Sequence, residues 1–486
     1  MLELRDASLF REQAFISGRW VDADTERRFD VGNPATGKRI GSVPDMGRGE
    51  VAGAIDAAEA ALFMWREETA KARANFLRRW HDLMMENRED LARLMTAEQG
   101  KPLVESRGEI AYAAAFIEWF AEEAKRIYGD VIPSPMAESR ILTIKVPVGV
   151  CAAITPWNFP AAMIARKAAA ALAAGCSMVV KPASQTPFSA LAMAELARRS
   201  GIPGGVFNVV TGDSKTIGKE LTENPTIRKL SFTGSTEVGK ILIQQSAPTV
   251  KRLSLELGGH APFIVFPDAG LDAAVSGAMA SKYRNSGQTC VCANRFYVHE
   301  DIYDEFVSRL TGSVKRLRVA EGFAEGAQQG PLIDMDAVEK VEAQISDALQ
   351  KGGELLCGGS RHALGGTFFE PTVIAEATPD MRIAGEETFG PVAPVFRFRE
   401  ETEVIGMANS TDFGLAAYFY TRDVGRIWRV AEALEFGIIG INTGLISTEA
   451  APFGGMKQSG FGREGSRYGI DEYLEIKYLN MAGLDG

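Results

Sequence analysis

Apolar and polar positions follow a repeating rhythm through the middle of the chain. Between residues 146 and 256, short apolar runs alternate with longer amphipathic ones. "VPVGVCAAI" reads as a strand, and "AAMIARKAAAALAAG" as an alanine-rich helix closed by glycine. "SMVVK", "GVFNVVTG" and "IRKLSFTG" read as further strands. "SALAMAELARRSG" and "STEVGKILIQQSA" read as helices among them. Strands and helices alternating at this spacing predict βαβ units, hence an α/β fold with a mostly parallel sheet covered on both faces. Such sheets bind ligands at the carboxyl ends of their strands.

Ahead of this block, "EVAGAIDAAEAALFMWREE" and residues 70–99 carry apolar residues three or four apart, which predicts helices. From about residue 258 to 455 the α/β rhythm restarts. "DAVEKVEAQISDALQKG" is a predicted helix, and "APVFRF" and "IIGIN" are predicted strands. "IYGDVIPSPMAESRILTIKVPV", residues 127–148, reads as a hairpin or arm with prolines at its turn. Near the end, "YLEIKYLN" alternates like a strand. Strands without a sheet of their own need a partner, and a neighbouring subunit is the candidate.

A chain of 486 residues exceeds one ordinary core, so two or more domains are expected. Hydrophobic residues make up 46% and charged ones 24%, as in globular proteins that live in water. The net charge is -10 and no Lys/Arg run occurs, which argues against nucleic acid and anionic membranes as partners. "MLELRDASLF" lacks the apolar core of a signal peptide, and the apolar stretch 168–180 is too short to span a bilayer. Five cysteines, an odd count with four of them widely scattered or in apolar runs, fit a reducing cytoplasm better than a disulfide framework.

Candidate chemistry begins at "NSGQTCVCANR", residues 285–295, which sets Cys290 and Cys292 one residue apart. Metal ligands, a disulfide, core filler, or a nucleophile beside a bystander are the readings of such a pair. The metal reading lacks partners: a zinc site takes about four ligands, and the chain has four histidines and no second Cys or His cluster. No metal is expected. "GFGREG", residues 460–465, matches the dinucleotide fingerprint but follows "MKQS" rather than a predicted strand. It reads as a glycine-rich loop packed on another backbone. "FTGSTEVG" lies between a strand and a helix, so Gly234 and Ser235 sit at a helix N-terminus, where free N–H groups and the dipole suit a pyrophosphate. On this stretch alone an ordinary Ser/Thr cap after a tight turn is the better reading. Lys181 emerges at the carboxyl edge of its strand, and a solvated lysine is the plain alternative. Asn158, between the prolines of "TPWNFP", offers a rigid amide donor or a turn residue. Glu256 ends an apolar run, and burying a carboxylate is costly unless it is paired or functional.

Together these stretches carry a resemblance. "TPWNFP", "KPASQTP", "FTGSTEVG", "LELGG", "GQTC" and "EETFGP" resemble, in order and approximate spacing, the motifs of the NAD(P)-dependent aldehyde dehydrogenases. The resemblance covers essentially the whole chain. It looks closest to the succinate-semialdehyde dehydrogenase branch, through "KPASQTPFSALAMAELA", "SFTGSTEVG" and "GQTCVCANR". His260 departs from the family's usual asparagine or lysine, with little effect expected.

The resemblance implies a Rossmann-type dinucleotide-binding domain over residues 1–126 and 149–257 and an α/β catalytic domain over 258–457. It also implies a β arm, 127–148 and 468–486, that joins subunits into a homodimer or homotetramer. It implies that Cys290 is the nucleophile, that Asn158 and the Cys290 N–H stabilise the oxyanion, and that Glu256 activates water. NADP or NAD would be held by Trp157, Lys181, Ser184, Gly234, Ser235, Leu257, Glu387 and Phe389. Many NAD-preferring relatives have glutamate where Ser184 stands. A hydroxyl beside Lys181 suits a 2′-phosphate, so NADP is the expected preference. The implied substrate is a small aldehyde carrying a carboxylate, bound by Arg166, Arg284 and Ser447. Succinate semialdehyde is expected, with glutarate semialdehyde as the alternative and a non-catalytic protein on the same scaffold as the rival of another class. Cys292 is either packing or a redox partner of Cys290. Were the segment extended, their Cα atoms would lie about 6.5 Å apart, so a bridge would be strained and readily reduced.

Overall fold

The computed structural model describes residues 3–483, so the outermost ends of the expected dinucleotide domain and arm, residues 1–2 and 484–486, lie outside it. Two α/β sheets dominate. The first has eight strands in the spatial order Arg19–Val21, Ala14–Ile16, Phe207–Val209, Ser177–Lys181, Val150–Ile154, Ile227–Thr233, Arg252–Glu256 and Gly460–Phe461. Its five central strands run parallel. Lys181, Thr233 and Glu256 are therefore all last residues of parallel strands, at one edge of the sheet.

Helix Ala162–Ala174 is buried along its whole length, which its eight alanines allow because neighbouring backbones can approach closely from every side. Helix Leu103–Glu123 packs against it. Helices Arg48–Trp65 and Ala70–Glu86 are pinned to the same region by indoles: Trp65 Nε1 donates to the Leu172 carbonyl at 3.1 Å and Trp80 Nε1 to that of Met193 at 3.1 Å. The second sheet has seven strands, in the order Glu354–Cys357, Thr372–Ala375, Val392–Phe398, Ala293–His299, Ala261–Val265, Ala416–Tyr420 and Ile438–Ile441. Only Glu354–Cys357 is antiparallel to its neighbour.

Two expectations change. The arm strands do not wait for another subunit to pair them. Ser139–Pro147 and Leu474–Ala482 pair with each other, antiparallel, in unbroken register from Leu474 opposite Pro147 to Ala482 opposite Ser139, with Val131–Ile132 as a third strand. The long-range hydrogen-bond ladder satisfies both strands, so their lack of a sheet was only apparent in the linear order. The segment around "GFGREG" is not strandless either. Met456–Lys457 and Gly460–Phe461 form short strands, the latter pairing with the edge at Leu255 and Glu256. Gly460 has φ +106°, and a Cβ there would fall 1.9 Å from the Leu255 carbonyl oxygen, so the close backbone packing itself demands glycine. Among the described residues no helix is long and apolar enough to cross a membrane.

Candidate active site

The segment before Cys290 is wound against its preference. Asn285 and Ser286 have φ of 51° and 57°, and Gly287 follows at 74°. Non-glycine residues hold such angles only when their surroundings over-determine them. Here the Asn285 N–H donates to Glu105 Oε2 at 2.9 Å, and Gln99 Nε2 donates to Asn285 Oδ1 at 3.0 Å. The Ser286 hydroxyl donates to the Gly330 carbonyl at 2.9 Å, and Gln288 Oε1 accepts from the Ile333 N–H at 2.9 Å. The chain then turns at Cys290–Val291, with the Cys292 N–H donating to the Thr289 carbonyl at 3.1 Å. The Cys290–Cys292 segment is therefore a turn closed by that bond rather than extended chain. Cys292 is buried, with Sγ against the Lys282 carbonyl at 3.4 Å.

Cys290 is partly exposed and forms a shared wall of two cavities, of about 300 and 360 Å³. Phe159 and Met163 complete that shared wall. Burial pushes the Cys290 thiol up to about 12; Arg166 and Arg284 pull it down, while Glu387 and Glu256 add to the rise.

The smaller cavity holds the three residues expected to meet a carboxylate, Arg166, Arg284 and Ser447. They are not equivalent. Arg284 stacks over Phe159 with 5.4 Å between its guanidinium carbon and the ring centre. Arg166 is already engaged: its Nε donates to Glu464 Oε2 at 2.7 Å, with both side chains buried. Lys167 Nζ reaches Glu464 Oε1 at 2.5 Å and Thr233 Oγ1 at 2.5 Å. Burial pushes Glu464 up, but Lys167 and Arg166 outweigh it and hold the carboxyl below its ordinary range. Among the wall residues that went unread in the sequence are Tyr112 and Glu105. Tyr112 brings a buried hydroxyl with no hydrogen-bond partner, and Glu105 is a buried carboxyl pushed up by burial to about 6 despite Lys101 nearby. Both lie on helix Leu103–Glu123, whose apolar spacing continues past residue 99 and was the available signal.

The larger cavity is lined by Trp157, Asn158, Gly234, Ser235, Leu257, Glu387 and Phe389. Trp157 and Phe389 meet edge to face at 5.6 Å between ring centres. Ser235 caps helix Thr236–Ser246, accepting the Val238 N–H at 3.3 Å. Glu387 Oε1 accepts the Gly259 N–H at 3.1 Å; burial pushes its carboxyl up to about 7 against the pull of that bond. Lys181 and Ser184 lie outside this wall. Lys181 Nζ donates to Ser214 Oγ at 2.7 Å and to Ser184 Oγ at 3.4 Å. No carboxylate among the described residues forms a salt bridge with it, and burial lowers it to about 8 with Asp213 opposing. A buried ammonium answered only by hydroxyls, beside a helix N-terminus, fits an anionic phosphate ligand. Ser214 is a neighbour that no sequence signal marked.

Asn158 is buried, and its Nδ2 gives one bond to the Gln288 carbonyl at 3.0 Å. An amide nitrogen has two hydrogens, so one remains for the cavity. Glu256 lines neither cavity. Its Oε2 is buried and unpartnered, and its carboxyl stands well above the ordinary range through burial first and Glu464 second.

Two α/β sheets thus hold a partly exposed thiol, Cys290, where two cavities meet. The chain belongs to the aldehyde dehydrogenase family, whose model matches residues 20–479. It is 63% identical over 99% of its length to a glutarate-semialdehyde dehydrogenase of Pseudomonas aeruginosa, all of which is covered. It is 62% identical, over 98% of this chain and 99% of the relative, to the NADP(+) succinate-semialdehyde dehydrogenase GabD of Escherichia coli K12. Among solved structures, a succinate-semialdehyde dehydrogenase from Burkholderia pseudomallei superposes with a TM-score of 0.98 at 64% identity, over 99% of this chain and 100% of that one.

Proposed function

We propose that the protein oxidises succinate semialdehyde to succinate with NADP or NAD, through a thiohemiacetal and then a thioester on Cys290. The observation that carries this reading is Cys290 as the common wall of two unlike cavities, one with cationic and hydroxyl donors and one beside a helix N-terminus. The Cys290 sulfur adds to the aldehyde carbon, and the oxygen that becomes an oxyanion takes the free N–H of Asn158 and the Cys290 N–H. What the dinucleotide supplies when bound is an acceptor for hydride. The oxidised adduct is a thioester, and Glu256 takes a proton from the water that cleaves it, freeing the acid and the thiol. Glu256 lines neither cavity in this structure, so this role requires its carboxylate to come within reach of a water beside Cys290.

Trp157, Gly234, Ser235, Leu257, Glu387 and Phe389 would hold the nicotinamide end and the phosphates, and Lys181 the adenosine ribose. The hydroxyl of Ser184, with Ser214, favours a 2′-phosphate on Lys181, hence NADP. The far carboxylate would rest on Arg284, Ser447 and the Tyr112 hydroxyl. Arg166 contributes charge, since Glu464 occupies its Nε edge. Glutarate semialdehyde is the second reading, supported by the Pseudomonas aeruginosa relative. One methylene in a pocket is worth about 1–3 kcal/mol, so the two acids separate by rate rather than by exclusion. A non-catalytic scaffold protein would have no need of a loop held in the left-handed region beside a thiol.

Residues 1–126 and 149–257 would form the dinucleotide domain, 258–457 the catalytic domain, and 127–148 with 468–486 the arm. The arm exposes Ile132, Ile476 and Tyr478, which the strand register puts on one face, an apolar face suited to a homodimer or homotetramer contact. Five free thiols suit a reducing cytoplasm. The test is steady-state kinetics with C3 to C6 aldehydes, with and without a terminal carboxylate, each with NAD and NADP. The reading requires the highest kcat/KM for a C4 or C5 carboxylated aldehyde; a preference for uncharged aldehydes overturns it.

A further inference from the structure

In the wall of the smaller cavity, the loop that carries Asn158 is held by a buried ammonium. Lys101 Nζ donates to the Asn158 main-chain carbonyl at 2.6 Å and to Glu109 Oε2 at 2.6 Å, and both side chains of that ion pair are 1% exposed. Glu109 Oε1 in turn accepts the N–H groups of Ala161 and Ala162, at 3.0 and 3.2 Å, where the same loop enters helix Ala162–Ala174. The Asn158 carbonyl takes a second bond from Asn285 Nδ2 at 3.1 Å, so both its lone pairs are used. Lys101 also lies over the Phe159 ring at 4.2 Å. The loop 155–161 has no helix or strand of its own to fix it. Its orientation comes from these side chains, and Lys101 and Glu109 hold it directly, while Glu105, between them in the sequence, accepts the Asn285 N–H.

We infer that Lys101, seated on Glu109, is a positioning residue: by gripping the Asn158 carbonyl it aims the free Asn158 amide N–H at the oxygen of the adduct on Cys290. This rests on the role proposed above for Asn158. The argument is one of alternatives. A buried ammonium could serve only to neutralise Glu109, but then its second short bond would not need to fall on the residue that carries the oxyanion donor. A substrate carboxylate could be its partner, but two of the ammonium's three N–H groups go to Glu109 and Asn158, Glu109 already balances its charge, and its side chain is 1% exposed. Pre-aimed donors cost no reorganisation during reaction, and a misplacement of about 1 Å can cost on the order of a hundredfold in rate.

The experiment is a double-mutant cycle in the full-length enzyme with succinate semialdehyde and NADP. Lys101→Met is combined with Glu109→Gln, which avoids a bare buried carboxylate. This variant is expected to lose about tenfold to a hundredfold in kcat, with the KM for NADP and the rate of Cys290 alkylation by iodoacetamide little changed. Alkylation displaces iodide and builds no oxyanion, so it does not call on Asn158. In an Asn158→Ala background the same pair of changes is expected to cost little more, since no amide is left to aim. If the losses multiply in that background, or alkylation slows as much as turnover, Lys101 is structural and the inference falls. If Asn158→Ala alone leaves kcat intact, the role of Asn158 falls first and the inference with it. Should the double variant not fold, Lys101→Arg, which keeps the charge balanced, is assayed against Asn158→Ala with the same expectations. A planar guanidinium does not reproduce the ammonium's two short bonds.

Discussion

On one side of Cys290 the cavity wall comes mainly from strand ends and the turns that follow them. Gly234 and Ser235 follow strand Ile227–Thr233, Leu257 follows Arg252–Glu256, and Trp157 and Asn158 follow Val150–Ile154. On the other side much of the wall is a helix face, with Lys101, Glu105, Glu109 and Tyr112 all facing the same cavity. The first construction needs short, rigid, glycine- and proline-rich segments, because backbone N–H groups and close approach do the binding. The second needs only a polar residue every three or four positions on an otherwise buried helix. Chemistry at strand ends therefore leaves compact signatures in the sequence, whereas chemistry on a helix face hides in an amphipathic pattern.

The sharpest break in that symmetry is at the wall both cavities share. Cys290→Ala is expected to remove dehydrogenase activity, by on the order of 10⁴-fold or more, while folding and NADP binding persist. Measurable turnover near wild type would move the nucleophile elsewhere. Glu256→Gln comes next, with steady-state turnover falling by roughly 10²–10⁴-fold while a burst of reduced cofactor remains on rapid mixing. Burial holds the Glu256 carboxyl above its ordinary range. It is ionised as a base only as pH rises, so wild-type hydrolysis climbs with pH and the glutamine variant loses that climb. Disappearance of the burst along with turnover would make Glu256 the activator of Cys290 instead.

The cavities are then separated one at a time. Arg284→Ala touches only the acid side and is expected to lower kcat/KM for succinate semialdehyde by about 10–100-fold, the worth of a hydrogen bond to a charged group, while sparing butanal. Equal loss for both aldehydes would mean that Arg284 merely supports its stack on Phe159. Ser184→Glu touches only the cofactor side. Placing a carboxylate beside Lys181 should raise the KM for NADP several times more than that for NAD, and a wild type indifferent to NADP would refute the 2′-phosphate reading. The smallest effect is expected from Cys292→Ala, which keeps most activity because its thiol lines neither cavity. After mild peroxide, peptide mapping of the wild type decides whether a Cys290–Cys292 bridge forms across the turn; recovery with dithiothreitol should be poorer in the alanine variant.

The parallel core was legible because its strands are continuous apolar runs followed by helices, and "SMVVK" and "IRKLSFTG" leave little choice of structure. The pairing of the arm strands was not, since nothing local in "YLEIKYLN" tells that its partner lies more than 300 residues earlier. Within the site, Cys290, Asn158 and Glu387 sit in motifs with prolines or glycines that betray a constrained backbone. Glu464 was overlooked for the opposite reason. It lies in "GFGREG", a stretch set aside as a packing loop, and only the fold brings it to Arg166 and Lys167, about 300 positions away. Tyr112 looks like an ordinary helix residue, and Lys101 like an ordinary residue of the link between two helices, until the cavity is seen beside them.

The central claim is that one thiol, Cys290, carries the substrate's carbon while both cavities are filled. Glu256→Gln, mixed with succinate semialdehyde and NADP and quenched in acid within the burst, should trap that species. Mass spectrometry of the digested protein should find a succinyl thioester on the peptide holding residues 285–295, with fragmentation placing it on Cys290 and not Cys292. An unmodified Cys290 at full burst amplitude, or an acyl group on any other side chain, would contradict the account.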